Sequence, residues 1–384
     1  MKIMHICSNF GSLHRDLILK QEEAGLDPYA FFYTTRRRDF DRTYFPEGRV
    51  HSFNSPVRFF RTPLFFRKRI NIAAGYFLEF HKNNRDYDIL HAHMLFTDGD
   101  IAYRASREFP VPYIVTVRSA DMDCWWGWRI GRNRERGFEI LKNASVVIFL
   151  SPVFRDELLG RLPPSLAAEV AGKTCLIPNG IDDFWHWNRL PSHKNQPKNE
   201  VRILTAGKIN KRKNQLSVLK ALEMLAAGGM NVRYTVVGED ESRKMTGKLG
   251  KSSITTVLPP CTKETLLQIY RDSDIFVLPS MRETFGLVYA EAMTQGLPVI
   301  YSRGQGFDGQ FPEGEAGYAA DPSSPESVRD AVLKVMGAYE EISVRCLRLS
   351  RKFRWGTIVD AQKDMYSMIL ERRQPSISPE QERV

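Results

Sequence analysis

Asp274–Ile300 reads DIFVLPSMRETFGLVYAEAMTQGLPVI, and its pattern decides the fold. Ile275 to Leu278 is an apolar run of the length of a buried strand. Pro279-Ser280 ends it, and a polar loop follows from Met281 to Gly286. From Leu287 the residues favour a helix, Gly296 stops it, and Pro298-Val299-Ile300 opens the next strand. Strand, loop, helix start is where an α/β fold places a ligand, because the first helical N–H groups lack partners and the helix dipole favours an anion. Two carboxylates bracket the loop: Glu283 within it and Glu291 about a turn into the helix. An acid at a helix start also serves as plain capping, so the pair alone leaves both readings open.

The chain has 384 residues, enough for two domains with full cores. Its 42% hydrophobic and 26% charged content is that of a globular protein, and no run approaches the ~20 apolar residues of a membrane span. The first residues, MKIMHICSNFG, turn polar too early for a secretory signal and read as a first buried strand. Five scattered cysteines, without metal-ligand spacing, suit a reducing cytoplasm. The formal charge is +10, which points to anionic partners. From Arg36 to Arg85 twelve Lys/Arg stand against four Asp/Glu, a net of +8. Arginines alternate with phenylalanines there (VRFFRTPLFFRKR, 57–69), as suits a helix burying its rings, an anionic membrane surface or, least, nucleic acid.

Strands are expected at Met1–Cys7, Tyr29–Tyr33, Tyr87–His93, Val111–Val117 and Ser145–Leu150, with a helix from about Leu13 to Ala24. Gly11 lies in the first strand-to-helix loop, where a glycine lets backbone approach a ligand. His91-x-His93 reads equally as a packed pair, since the spacing offers no further metal ligand. Arg118-Ser119-Ala120-Asp121 follows the fourth strand, then Trp125 and Trp126, which suit either sugar stacking or burial. A polar, proline-containing run at 187–200 reads as a linker. Beyond it a strand from Val201 delivers Gly207 and Lys208, with Lys213 and Asn214 just before a helix. Asp-x-Asp occurs five times, which makes it background, and Gly304-x-Gly306-x-x-Gly309 precedes no helix and fails as a dinucleotide fingerprint.

Glu283-(x)7-Glu291, with Phe285-Gly286 after the first glutamate and Ala290 before the second, resembles the signature of family 4 retaining glycosyltransferases. Cys175-Leu-Ile-Pro-Asn-Gly-Ile-Asp182 resembles the run ending that family's first domain, and the likeness extends over nearly the whole chain. The resemblance implies a GT-B fold, α/β, with two Rossmann-like parallel-sheet domains facing one cleft. Residues 1–186 would form an acceptor-side domain, 187–200 a linker and 201–352 the nucleotide-sugar domain. Residues 353–372 would cross back as a last helix, and 373–384 would be a disordered tail.

The resemblance also implies roles. Lys208 and Lys213 would stabilise the leaving diphosphate, Glu283 would take the donor sugar and Glu291 the ribose hydroxyls. Gly11, Gly207 and the backbone of Phe285, Gly286 and Leu287 would line the donor. Arg118 stands where relatives commonly carry histidine; arginine cannot act as acid or base but can grip phosphate or a hydroxyl. Asp121, Trp125 and Trp126 fall on the acceptor side. The implied partners are a nucleotide-sugar donor, a glycan or lipid-linked acceptor of polysaccharide assembly and an anionic membrane face through 36–85. No cofactor and no metal are implied, since cations replace one. A sugar-nucleotide epimerase, or a nucleotide- or nucleic-acid-binding protein that has lost catalysis, fits the same residues less well.

Overall fold

Short apolar runs alternating with helices resolve into two all-parallel sheets. The computed structural model describes residues 1–8, 10–34, 50–54, 66–83, 86–126, 130–241 and 244–372. The first sheet contains β1 (Lys2–Cys7), β2 (Asp27–Thr34), β3 (Val50–Asn54), β4 (Ile89–Ala92), β5 (Tyr113–Val117), β6 (Val146–Phe149) and β7 (Thr174–Leu176). They lie in the order β3-β2-β1-β4-β5-β6-β7. The second contains β8 (Val201–Ala206), β9 (Val232–Val237), β10 (Thr255–Leu258), β11 (Ile275–Leu278), β12 (Val299–Ser302) and β13 (Gly317–Ala320), ordered β10-β9-β8-β11-β12-β13.

In each sheet the winding reverses beside its first strand, between β1 and β4 and between β8 and β11. At such a switch point the loops after the two strands diverge and leave a crevice at their carboxyl ends. Parallel strands covered by helices on both faces must be apolar throughout. Ile275, Phe276, Val277 and Leu278 are accordingly all fully buried. Tyr234, Val218, Leu222, Ile300 and Val332 join Ile275 and Val277 in one core.

The chain divides into two compact units. One comprises residues 1–150, 157–177 and 356–384; the other comprises 151–156 and 178–355. The division after Ile177 falls earlier than the expected boundary at 186. The run at 187–200 is no free tether either: Leu190 N donates to Thr294 O at 3.0 Å, and Lys194 N donates to Ser343 Oγ at 2.9 Å. Lys194 Nζ also caps the carbonyls of Arg271 and Ser273. β3 went unanticipated because it lies inside the basic stretch, where charge obscures a five-residue strand. Most of that stretch, and the tail beyond Arg372, lie outside the described residues. Of its described part, helix Phe66–Asn83 buries Ile70, Ala73 and Phe77 while Arg67 and Lys68 face water.

The last helix, Trp355–Glu371, is stitched to the first sheet by buried polar bonds. Tyr366 OH lies 2.7 Å from His91 Nδ1, and Gln21 Nε2 donates to Gln362 Oε1 at 2.7 Å and to Tyr366 OH at 3.3 Å. Removing one member of a buried network leaves others desolvated and unpaired. Tyr366→Phe is therefore expected to cost about 1–3 kcal/mol, read as faster amide hydrogen exchange along β1 and β4.

Candidate active site

Beyond β11 the chain turns sharply: Ser280 N donates to Leu278 O at 2.8 Å, and Ser302 Oγ donates to Ser280 O at 2.6 Å. Met281 N then donates to Arg212 O at 2.8 Å, which ties the loop after β11 to the loop after β8. Gly286 has φ +78°, and a Cβ there would lie 2.3 Å from the Tyr289 ring, so no side chain fits. It caps helix Leu287–Thr294 without a side-chain hydrogen bond. Among the described residues no acceptor faces the backbone N–H of Phe285, Gly286 or Leu287. Phe285 itself points into the core, against Phe353 and Phe307.

A glycine loop after β12 clamps this turn from the other side. Gly306 N donates to Glu283 O at 3.2 Å, and Glu283 N donates to Gln305 Oε1 at 2.9 Å. A Cβ on Gly306 would lie 1.8 Å from the Thr284 carbonyl oxygen. The glycine triplet rejected as a nucleotide fingerprint is thus a buttress for the Glu283 loop.

Glu283 and Lys213 meet here: Lys213 Nζ lies 2.5 Å from Glu283 Oε2, with only 14% and 11% of the two side chains exposed. Ser280 Oγ donates to the same oxygen at 3.3 Å, and Thr284 N donates to Oε1 at 3.2 Å. Lys213 is presented by a turn in which Asn214 takes φ +64°, a conformation favouring Gly or Asn. Asn214 holds that turn by donating from Nδ2 to Pro279 O at 3.0 Å and Pro322 O at 2.6 Å. The asparagine thus supplies a left-handed turn that otherwise favours glycine.

Glu291 lies on the same helix. Tyr270 OH donates to Glu291 Oε2 at 3.3 Å, and Tyr270 is fixed against Trp185. Burial pushes the Glu291 carboxyl up to about 7, partly offset by Tyr270 and by Lys263. Lys263 is paired with Asp182, the helix cap that ends the Pro-Asn-Gly run. Sequence reasoning missed Tyr270, Lys263 and Gln305, which act only as contacts to the motif residues and carry no pattern of their own.

Lys208 does not join Lys213. Its ammonium is 2.7 Å from Glu241 Oε1, and the side chain is 58% exposed. Gly207 precedes it at φ +136°, with open space where a Cβ would stand.

In the first unit, Arg118 Nε donates to His93 O at 2.9 Å, so one edge of the guanidinium is committed to backbone. Asp121 is buried rather than set out for an acceptor. Its Oδ2 accepts from Arg118 N at 2.9 Å and its Oδ1 from Phe96 N at 3.3 Å; the carboxylate organises two loops. Burial still pushes it up to about 6. Gly11 caps helix Ser12–Glu23, with nothing near an added Cβ. The side chains of Trp125 and Trp126 lie outside the described residues.

Two sequence families cover the chain in tandem. Residues 15–183 match the family described as Glycosyltransferase Family 4, and residues 188–346 match Glycosyl transferases group 1. The chain belongs to the family 4 glycosyltransferases. A D-inositol 3-phosphate glycosyltransferase of Xylanimonas cellulosilytica is 26% identical over 320 residues, covering 77% of this chain and 75% of the relative. A glycogen synthase of Mycobacterium tuberculosis is 24% identical, covering 77% and 72%. Among solved structures, sucrose-phosphate synthase from Thermosynechococcus elongatus superposes with a TM-score of 0.73 at 20% identity, over 97% of this chain and 99% of that one. Anabaena HepE in complex with UDP gives 0.68 at 16%, over 96% and 100%. The glycosyltransferase thus has the GT-B fold, and it acts on nucleotide sugars. Among the described residues no helix is long and apolar enough to cross a membrane.

The raised Glu291 ionisation has a measurable consequence. An ordinary glutamate ionises near 4.5, so the folded protein loses stability as the pH rises from there to about 7 and carries the full penalty above it. Glu291→Gln, a neutral replacement, is expected to stabilise the unliganded glycosyltransferase at pH 8 by about 1–3 kcal/mol and to change it little at pH 4. Thermal melts at the two pH values check this.

Proposed function

We propose that the glycosyltransferase takes a nucleoside-diphosphate sugar, with uridine diphosphate the first candidate, and transfers the sugar with retention and without a metal. The observation that carries this reading is the buried Lys213–Glu283 pair set beside a helix start with open N–H groups. The bound UDP of the similar Anabaena structure supports the base. When a donor enters, Lys213 turns part of its charge from Glu283 to the diphosphate, and the N–H groups of Gly286 and Leu287 add donors. That is preorganised stabilisation of the charge that grows as the bond to the sugar breaks. Glu283, relieved of part of its ion pair, accepts from a sugar hydroxyl. Glu291 accepts from the ribose hydroxyls and must be ionised to do so. Lys208 has the weaker case, since Glu241 already holds it in an exposed pair.

Following the family pattern, the leaving phosphate takes the acceptor's proton, so the anomeric configuration is kept. The acceptor is a glycan or lipid-linked sugar of polysaccharide assembly, gripped by Arg118. Peripheral binding to an anionic membrane on the cytoplasmic side fits the +8 charge of residues 36–85.

Lys213→Ala is expected to lower kcat/KM about 100- to 1,000-fold, while EDTA leaves the parent rate intact. An EDTA-sensitive rate restored only by Mg²⁺ or Mn²⁺ would refute the metal-free reading. The KM for the donor should rise up to about tenfold per pH unit below 7 as Glu291 protonates, and Glu291→Gln should remove that dependence along with tight donor binding. Flotation with liposomes should show binding to anionic but not neutral vesicles, weakening with salt.

A further inference from the structure

The first unit gathers soft-metal ligands that the sequence keeps apart. Cys7 ends β1, His14 lies in the helix Ser12–Glu23 that follows, and His93 follows β4, the neighbouring strand. Cys7 Sγ and one ring nitrogen from each histidine lie within 4.8 Å of one another. Cys7 and His93 are almost wholly buried, and His14 Nδ1 is a buried atom with no hydrogen-bond partner among the described residues. The His14 and His93 rings stand edge to face, 4.8 Å between centroids.

The surrounding bonds select the protonation state a metal would need. Gln21 Nε2 donates to Gln362, so its Oε1 accepts from His5 Nε2 at 2.7 Å. A neutral His5 that donates from Nε2 has Nδ1 left as an acceptor. His93 Nε2 therefore donates to His5 Nδ1 at 2.9 Å, and His93 keeps its lone pair on Nδ1. A ring that donates one N–H to an outer partner and offers the other nitrogen is the usual state of a metal-binding histidine. The neighbouring triad His5, His91 and His93 is different. Both nitrogens of His5 and both of His91 are already hydrogen-bonded, to Gln21, His93, Tyr366 and Thr116, so that triad is a packed core.

We propose that Cys7, His14 and His93 form a binding site for a borderline or soft transition-metal ion such as Zn²⁺, with one coordination position left open. A thiolate and two imidazoles match the preference of Zn²⁺ and exclude Mg²⁺ and Mn²⁺, which seek oxygen. The site is therefore separate from any ion on a diphosphate. Binding converts the Cys7 thiol to thiolate and releases its proton to water, while the two histidines give lone pairs without losing protons. Affinity should climb with pH, by up to about tenfold per unit.

The test is titration of the full chain, stripped with chelator, with Co²⁺ and with Zn²⁺ in competition against a chromogenic chelator. One equivalent of Co²⁺ should produce a thiolate-to-cobalt charge-transfer band that Zn²⁺ abolishes. Cys7→Ser should lose the band, His14→Ala should lose binding by at least tenfold, and Cys261→Ser, which removes an exposed thiol, should change neither. His14 is only half-buried, so its variant remains informative if Cys7→Ser misfolds. Absence of the band in the parent, a band unaffected by His14→Ala, or one lost in Cys261→Ser would overturn the proposal.

Discussion

A buried ion pair is costly unless its charges are well hydrogen-bonded, and the second unit supplies such bonds to the Glu283 carboxylate beside Lys213. The carboxylate receives Lys213, Ser280 Oγ and Thr284 N, while its own backbone is held by Gln305 and Gly306. These partners come from the loops after β8, β11 and β12, so the pair exists only when three crossovers have closed correctly. The strain is placed in glycines: Gly286 supplies a left-handed turn, and Gly306 supplies an approach that any side chain would block. The same turn leaves the start of helix Leu287–Thr294 uncapped. One arrangement therefore both pairs the buried cation with a carboxylate and leaves the helix start without a side-chain cap.

The two carboxylates of the motif are chemically unlike, although the sequence spaces them as a pair. Glu283 is neutralised by a lysine, whereas Glu291 meets a tyrosine hydroxyl and is pushed up to about 7 by burial. One is an ion-paired carboxylate; the other is a carboxyl whose ionisation at neutral pH is finely balanced. A single family pattern thus contains two electrostatic environments, one set by the turn that presents Lys213 and the other by the helix that presents Tyr270.

The first unit shows a similar division between pattern and packing. Arg118 and Asp121 read together as a polar site after β5, yet Asp121 turns inward to accept from two backbone N–H groups, on Arg118 and Phe96. A short acidic side chain four residues after a strand end is better placed to bond orphan donors than to reach a ligand. Arg118, longer and half-buried, keeps part of its fork for other partners.

The sequence by itself determined the strand–loop–helix order, the parallel sheets, the family and the pairing of Glu283 with Glu291, because each depends on local periodicity and on motif spacing within a few dozen residues. β11 (Ile275–Leu278) was legible to the residue, since a buried parallel strand is an unbroken apolar run. Only the tertiary structure decided that Lys213 rather than Lys208 meets Glu283, that Gly306 buttresses the loop, that Asp121 is internal, and that Cys7 and His14 join His93. Those contacts unite residues tens of positions apart, and their partners follow from strand order and crossover packing, which no single stretch of sequence encodes.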